Sequence, residues 1–200
     1  MVLTRIISII IGYLFGCINF AYIIGRFHDH IDIRNYGSGN SGTTNAIRVM
    51  GWKLGALTFL GDFLKSIVAY VITSLIFDSS VVGVYAGFGV VLGHNWPVFL
   101  KFKGGKGIAS TLGLIYAVDF RAGLIMNVIM VVVIYLTKYV SVGSILMALL
   151  MPILFFVFKD YNLEFLMIGI ILMVIAIARH TANIKRLIKG NENKLGSKKA

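Results

Sequence analysis

The stretch Ile6-Ile-Ser-Ile-Ile-Ile-Gly-Tyr-Leu-Phe-Gly-Cys-Ile-Asn-Phe-Ala-Tyr-Ile-Ile24 decides what kind of protein this is. It carries no charged side chain. As a helix it is close to the ~20 apolar residues that cross a hydrocarbon core. It exceeds the ~7–15 apolar residues of a secretory signal and lacks a small-residue cleavage site ahead of a soluble domain, so it reads as a retained span. Cys17 lies inside it and is the single cysteine, which leaves no intramolecular disulfide and reads as a small buried hydrophobe.

Similar runs recur outward from it. The first span extends over Val2 to Arg26, and others cover Leu54–Phe77, Val81–Leu100, Ala122–Leu136, Val140–Phe158 and Leu163–Ala178. Ile108–Val118 is apolar but short for a full crossing. With 58% hydrophobic and only 14% charged residues, the chain is not a soluble domain. A segment in lipid must satisfy its own backbone polar groups, so the predicted fold is all-α, a polytopic helical membrane protein. Residues 1–188 are expected to form a single helical transmembrane domain, and 189–200 a polar, basic, disordered tail.

Net charge is +11, which in a bilayer context points to topology and anionic headgroups rather than to nucleic acid, for which no binding signature is present. If the polar segment Phe27–Lys53 is cytoplasmic, Lys101, Lys103, Lys106 and the basic tail follow it there. Only Arg5, Arg121 and Lys159 then fall outside, with Lys65 inside a span. This predicts about seven crossings with the N-terminus outside and the C-terminus cytoplasmic, or about five if Ile108–Val118 dips and returns without a separate crossing by its neighbour. In either case three polar, basic segments converge on the cytoplasmic face: Asp32–Lys53, His94–Ser110 and Arg179–Arg186.

The first contains Gly37-Ser-Gly-Asn-Ser-Gly-Thr-Thr-Asn45, with no large apolar side chain, and Arg48 just beyond. Glycines that admit close backbone approach, with short hydrogen-bonding side chains, suit an anion such as phosphate. The literal G-x-G-x-x-G of Gly37, Gly39 and Gly42 is not a dinucleotide fingerprint, because a membrane span follows instead of a βαβ unit. The second contains Gly104-Gly-Lys-Gly107. It is not a P-loop, since Leu100 stands where the first glycine is required and no Ser or Thr follows Lys106. Glycines ahead of a helix would still aim backbone N–H groups at an anion, with Lys106 as counter-charge. Before them His94 could act as general acid or base or as a phosphate donor, and Trp96 reads as an interfacial anchor. In the third, Arg179, Asn183 and Arg186 share a helix face, with His180 beside Asn183. Asp62 and Lys65, three apart inside a span, should face the bundle and pair. No Cys/His cluster or paired carboxylates are present on the cytoplasmic side, so no metal site is predicted.

Three motifs taken together, Ser38-Gly-Asn-x-Gly42-x-Thr-Asn45, Gly93-His-x-x-Pro-Val-Phe99 running on to Phe102-Lys-Gly-Gly-Lys-Gly107, and Arg179-His-x-x-Asn-Ile-x-Arg186, closely resemble the bacterial acyl-phosphate:glycerol-3-phosphate acyltransferases. The resemblance covers essentially the whole chain. Thr43 stands where the family often has Ala, and Thr181-Ala182 vary a segment more charged in some members. The resemblance implies an integral inner-membrane enzyme that moves a fatty acyl group from acyl phosphate to the 1-hydroxyl of glycerol 3-phosphate, giving lysophosphatidic acid and phosphate. It implies no cofactor, and an acyl phosphate-producing enzyme as a possible supplier. It assigns catalytic roles to Ser38, His94 and Lys106, and substrate binding to Gly39, Asn40, Asn45, Arg48, Lys103, Gly104, Gly105, His180 and Asn183. An acyl phosphate is already activated, so the site would need only to align two anionic substrates and stabilise the leaving phosphate. The base is either a phosphate oxygen of the donor or His94. Acyltransferases with His-x4-Asp are excluded, because Ile33, Asn35, Phe99 and Lys185 stand five residues after the four histidines. The remaining alternative from the residues is a membrane transporter for phosphate esters.

Overall fold

A computed structural model describes residues Met1–Leu195. Among them all regular structure is helical: α1 (Val2–Cys17), α2 (Phe20–His28), α3 (Thr43–Ile76), α4 (Ser80–Asn95), α5 (Ile108–Val118), α6 (Phe120–Thr137), α7 (Val140–Phe158), α8 (Leu163–Arg179) and α9 (Thr181–Ile188). Short 3-10 turns cover Ile33–Asn35 and Val98–Leu100. The chain divides into two compact units, Met1–Val118 and Asp119–Ala200.

In the first unit α1 packs on α4 through small residues from both sides. A Cβ on Gly12 would stand 1.9 Å from the Ala86 carbonyl oxygen, and one on Gly16 2.2 Å from that of Val90. Conversely, a Cβ on Gly89 would stand 2.2 Å from the Ile9 carbonyl oxygen, and one on Gly93 2.1 Å from that of Tyr13. Two small-x3-small pairs thus bring backbone onto backbone, the packing that serves where lipid supplies no hydrophobic drive between helices. Helix α3 runs against α4 and α5. Gly113 fits α5 onto α3, where a Cβ would meet the Phe63 carbonyl oxygen at 2.1 Å.

Two helices are interrupted where hydropathy shows continuity. The run that opened the sequence breaks between Cys17 and Phe20, and Asn19 restarts it by accepting the Tyr22 N–H at 3.0 Å. Helix α3 turns at Gly51, whose φ of 85° and ψ of 174° are outside any helix, so Thr43–Met50 folds back and Ile47 lies over Gly55. The helix expected from Leu54 therefore begins eleven residues early, at Thr43.

In the second unit α6, α7 and α8 pack in sequence, with Gly169 against Pro152 and Phe155 edge-on to Phe165. Helix α6 buries only Ala122, Gly123 and Met126, while Leu124, Val128, Val131 and Leu136 are exposed. Such an apolar outside belongs in hydrocarbon.

Among the described residues four helical segments are long and apolar enough to cross a membrane, or five if the pair α8 and α9, bent by 57°, is one span. The expected seven are not reached by these criteria, because α4 has 16 residues and α5 has 11. The tail from Lys189 to Leu195 has no helix but is held by Glu192; the expected disorder of 196–200 lies outside the described residues.

Candidate active site

The first loop is built by Asn45. Its Oδ1 accepts the Ser38 N–H at 2.8 Å, and its Nδ2 donates to the carbonyls of Tyr36 (3.1 Å) and Ile33 (3.3 Å). Gly37 and Gly39 take φ of 61° and 72°, and a Cβ on Gly37 would collide with Asn45 Oδ1. Asn45 is thus buried and committed to loop shape. The loop's outer members differ. Ser38 and Gly39 are exposed, Asn40 and Arg48 half-buried, and the side chains of Ser38, Asn40 and Arg48 make no hydrogen bond or ion pair among the described residues. The N-terminus of α3 at Gly42 has no side-chain cap, which leaves its first N–H groups suited to an anion.

Asp32 and Arg34 fasten this loop. Asp32 Oδ1 accepts from Arg34 N (3.1 Å) and Nε (2.9 Å), its Oδ2 accepts from Nη2 (2.7 Å), and Arg34 Nη1 donates to the Leu100 carbonyl (2.9 Å). The first and second polar segments are therefore joined directly. The Arg34 hydrogen bond holds the Asp32 carboxyl below the ordinary carboxylate value, and the same bond raises Arg34.

The second segment follows the C-terminus of α4. Gly105 N–H donates to the His94 carbonyl (3.0 Å) and Gly104 N–H to that of Asn95 (3.3 Å). These two glycines therefore do not aim their N–H groups outward, as the sequence suggested. They close the end of α4, and they must lack side chains to do so: a Cβ on Gly104 would stand 2.0 Å from the His94 carbonyl oxygen, and one on Gly105 2.0 Å from His94 Nε2. His94 itself is 3% exposed. Its Nδ1 lies 3.1 Å from Lys65 Nζ and 3.3 Å from Asp62 Oδ1. Lys65 and Asp62 pair at 2.7 Å within the bundle, as their spacing predicts. Lys103 is exposed and Lys106 half-buried.

The third segment lies in the second unit. His180 stands at the bend between α8 and α9, buried, and its Nδ1 donates to the Ala176 carbonyl (2.7 Å). Asn183 Nδ2 and Arg186 Nε donate to the two oxygens of Glu192 (2.6 and 2.7 Å), and Ser141 Oγ donates to Glu192 Oε1 (3.1 Å). Glu192 was missed by motif reading. The signal was present: Gly190, at φ 70°, ends α9 and reverses the chain, so an acid two residues later returns along the basic face.

A model of the family described as glycerol-3-phosphate acyltransferase matches residues 6–190. A protein named glycerol-3-phosphate acyltransferase from Thermoanaerobacter sp. (strain X514) is 47% identical over 96% of both chains. Another of that name from Alkaliphilus metalliredigens is 44% identical over 97% of both. Two solved structures of PlsY (YgiH), described as an integral membrane glycerol 3-phosphate acyltransferase, are similar throughout. The glycerol 3-phosphate form has a TM-score of 0.88 at 37% identity over 96% of each chain. The lysophosphatidic acid form has 0.86 at 36%, over 96% of this chain and 95% of its own.

Proposed function

Because the chain belongs to the glycerol-3-phosphate acyltransferase family, an identity that already makes it an integral membrane protein of phospholipid synthesis, we propose that it acylates the 1-hydroxyl of glycerol 3-phosphate with acyl phosphate as donor. The glycerol oxygen attacks the acyl carbon, the carbon–oxygen bond to the donor phosphate breaks, and the hydroxyl proton passes to a phosphate oxygen. Lysophosphatidic acid and inorganic phosphate result. No covalent enzyme intermediate is needed, and the four histidines offer no His-x4-Asp pair to activate the hydroxyl of an acyl-CoA reaction.

The observation that carries this reading is the division of labour among the polar groups. Among the described residues the side chains of Ser38, Asn40 and Arg48 are uncommitted, which suits them to phosphate oxygens. Lys103 and Lys106 add charge, and the glycines behind Lys106, with Asn45, shape the loops that carry these groups. His180 and Asn183 are assigned to phosphate binding by family resemblance. The burial of His94 favours a phosphate oxygen as the base.

The same proposal has the site on the cytoplasmic face of a bacterial inner membrane, with the N-terminus outside and about seven crossings. Helices too short for lipid can still traverse when protein surrounds them, and α5 is buried at Ser110–Ile115 and at Val118. Such an enzyme works downstream of one that makes acyl phosphate.

The test is purified protein offered palmitoyl phosphate, acyl-CoA or acyl carrier protein, with lysophosphatidic acid followed. Product is expected from palmitoyl phosphate alone. Turnover restricted to acyl-CoA overturns the donor. Ser38→Ala and Lys106→Ala are each expected to lower kcat/KM by about 10²-fold, the scale of losing one preorganised donor.

A further inference from the structure

We propose that Asp62 and Lys65 are positioning residues of the acyl-transfer site, acting through His94 as a buried polar strut that sets where the Gly104–Lys106 segment stands. The use made of that segment rests on the acyltransferase reading; the strut itself does not.

The break after Cys17 leaves carbonyls at the end of α1 without helical partners. Lys65 Nζ reaches two of them, Ile18 at 2.8 Å and Gly16 at 3.2 Å, besides Asp62 Oδ1 at 2.7 Å. His94 Nδ1 faces the same pair, 3.1 Å from Lys65 Nζ and 3.3 Å from Asp62 Oδ1, and these two contacts fix the plane of the ring. Its far edge, Nε2, fills the space a Cβ on Gly105 would need. The His94 main chain holds the same residue, since its carbonyl accepts the Gly105 N–H. The far side of the segment rests on the same support: Ser110 Oγ donates to the Asp62 carbonyl at 3.0 Å. Lys106 lies between these two attachments.

Stability alone does not require charge here. Asp62 and Lys65 are 0% and 5% exposed, and a buried ion pair is often no better for folding than apolar residues of similar volume. A polar strut offers what an apolar contact does not, one orientation of the ring that carries the loop.

The charges are removed together as Asp62→Asn with Lys65→Met, which leaves no orphan ion. This double variant is expected to unfold near the wild-type temperature. Its KM for glycerol 3-phosphate should rise by about tenfold, the coupling typical of groups in contact, with kcat changed less. The rise in unfolding temperature caused by glycerol 3-phosphate alone should shrink in parallel. A folded double variant with wild-type KM and thermal shift overturns the proposal and leaves the pair a helix staple. Should it fail to fold, Gly105→Ala and His94→Asn decide. Asparagine keeps an amide near the Nδ1 position and lacks the outer ring edge. Gly105→Ala should lose most of the ligand-induced thermal shift, and adding His94→Asn should restore at least half of it; a folded pair without recovery sinks the strut. A wild type that binds glycerol 3-phosphate yet makes no lysophosphatidic acid overturns the acyltransferase reading, and the thermal-shift arms still decide the strut.

Discussion

Residues of three kinds share the polar segments, and only some were legible as what they are. Ser38, Asn40 and Arg48 stand out in sequence as polar groups among apolar spans, and their side chains remain uncommitted among the described residues. Asn45, Gly104 and Gly105 look the same in sequence, but their hydrogen bonds close loops. Composition cannot separate a group that binds a ligand from one that builds the loop presenting it, because both need the same donors and acceptors. Glu192 was invisible for a related reason: its partners Ser141, Asn183 and Arg186 come from a distant helix and from the chain it doubles back on. Glu192→Ala leaves the buried Asn183 and Ser141 without their acceptor and should destabilise by about 1–3 kcal/mol, read as a lower unfolding temperature in detergent. Asp32 gives a pH signature. Its folded value is lowered by Arg34, so its contribution to stability is complete above the ordinary carboxylate value of 3.8 and is lost as pH falls through the lowered one. The gap in unfolding temperature between wild type and Asp32→Asn should be full at neutral pH and close on acidification below about pH 4.

At the scale of elements, hydropathy located the apolar runs well and their breaks poorly. The apolar runs Val140–Phe158 and Ile108–Val118 coincide with α7 and α5. The break at Ile18–Asn19 lies in a run without charge and is marked there only by Asn19, and what sustains it, Lys65, is far along the chain. Gly51 looks like any helical glycine until its φ of 85° is seen. Tertiary contacts make these breaks, and periodicity carries no record of them. The contact of α1 with α4 was written in the sequence, but as two separated glycine pairs whose register only the structure joins. It can be tested away from the site. In Gly89→Val the new Cβ meets the Ile9 carbonyl, a main-chain atom that moves only with its helix. The loss should reach the upper end of the ~1–3 kcal/mol typical of overpacking. A variant with unchanged thermal unfolding would mean that the close helix contact is not a source of stability.

For the whole molecule, the strongest sequence signal is the asymmetry of charge, and it leads to a prediction that helix lengths cannot supply. Lys and Arg accumulate in the segments 26–53, 101–106 and 179–199, whereas Arg5, Arg121 and Lys159 stand near the opposite ends of spans. Translocating a cationic loop is disfavoured, so the charge-rich segments should share the cytoplasmic side. By length and composition the described residues contain four or five spans, and the difference from seven lies in how α4 and α5 traverse. Labelling from the two sides of the membrane separates the cases. With Cys17 replaced by serine, single cysteines at Ser38, Phe102, Asp119, Lys138, Lys159 and Lys189 are exposed to an impermeant maleimide in intact cells and in inverted vesicles. If α5 crosses, Asp119 and Lys159 label from outside, and Ser38, Phe102, Lys138 and Lys189 only in inverted vesicles. If α5 dips and returns and α6 adds no separate crossing, Asp119 labels from the cytoplasmic side with Phe102, while Lys159 and Lys189 keep their assignments. Labelling of Ser38 and Phe102 from opposite sides would overturn the orientation. It would also contradict the Arg34 bond to the Leu100 carbonyl, which holds both polar segments on one face.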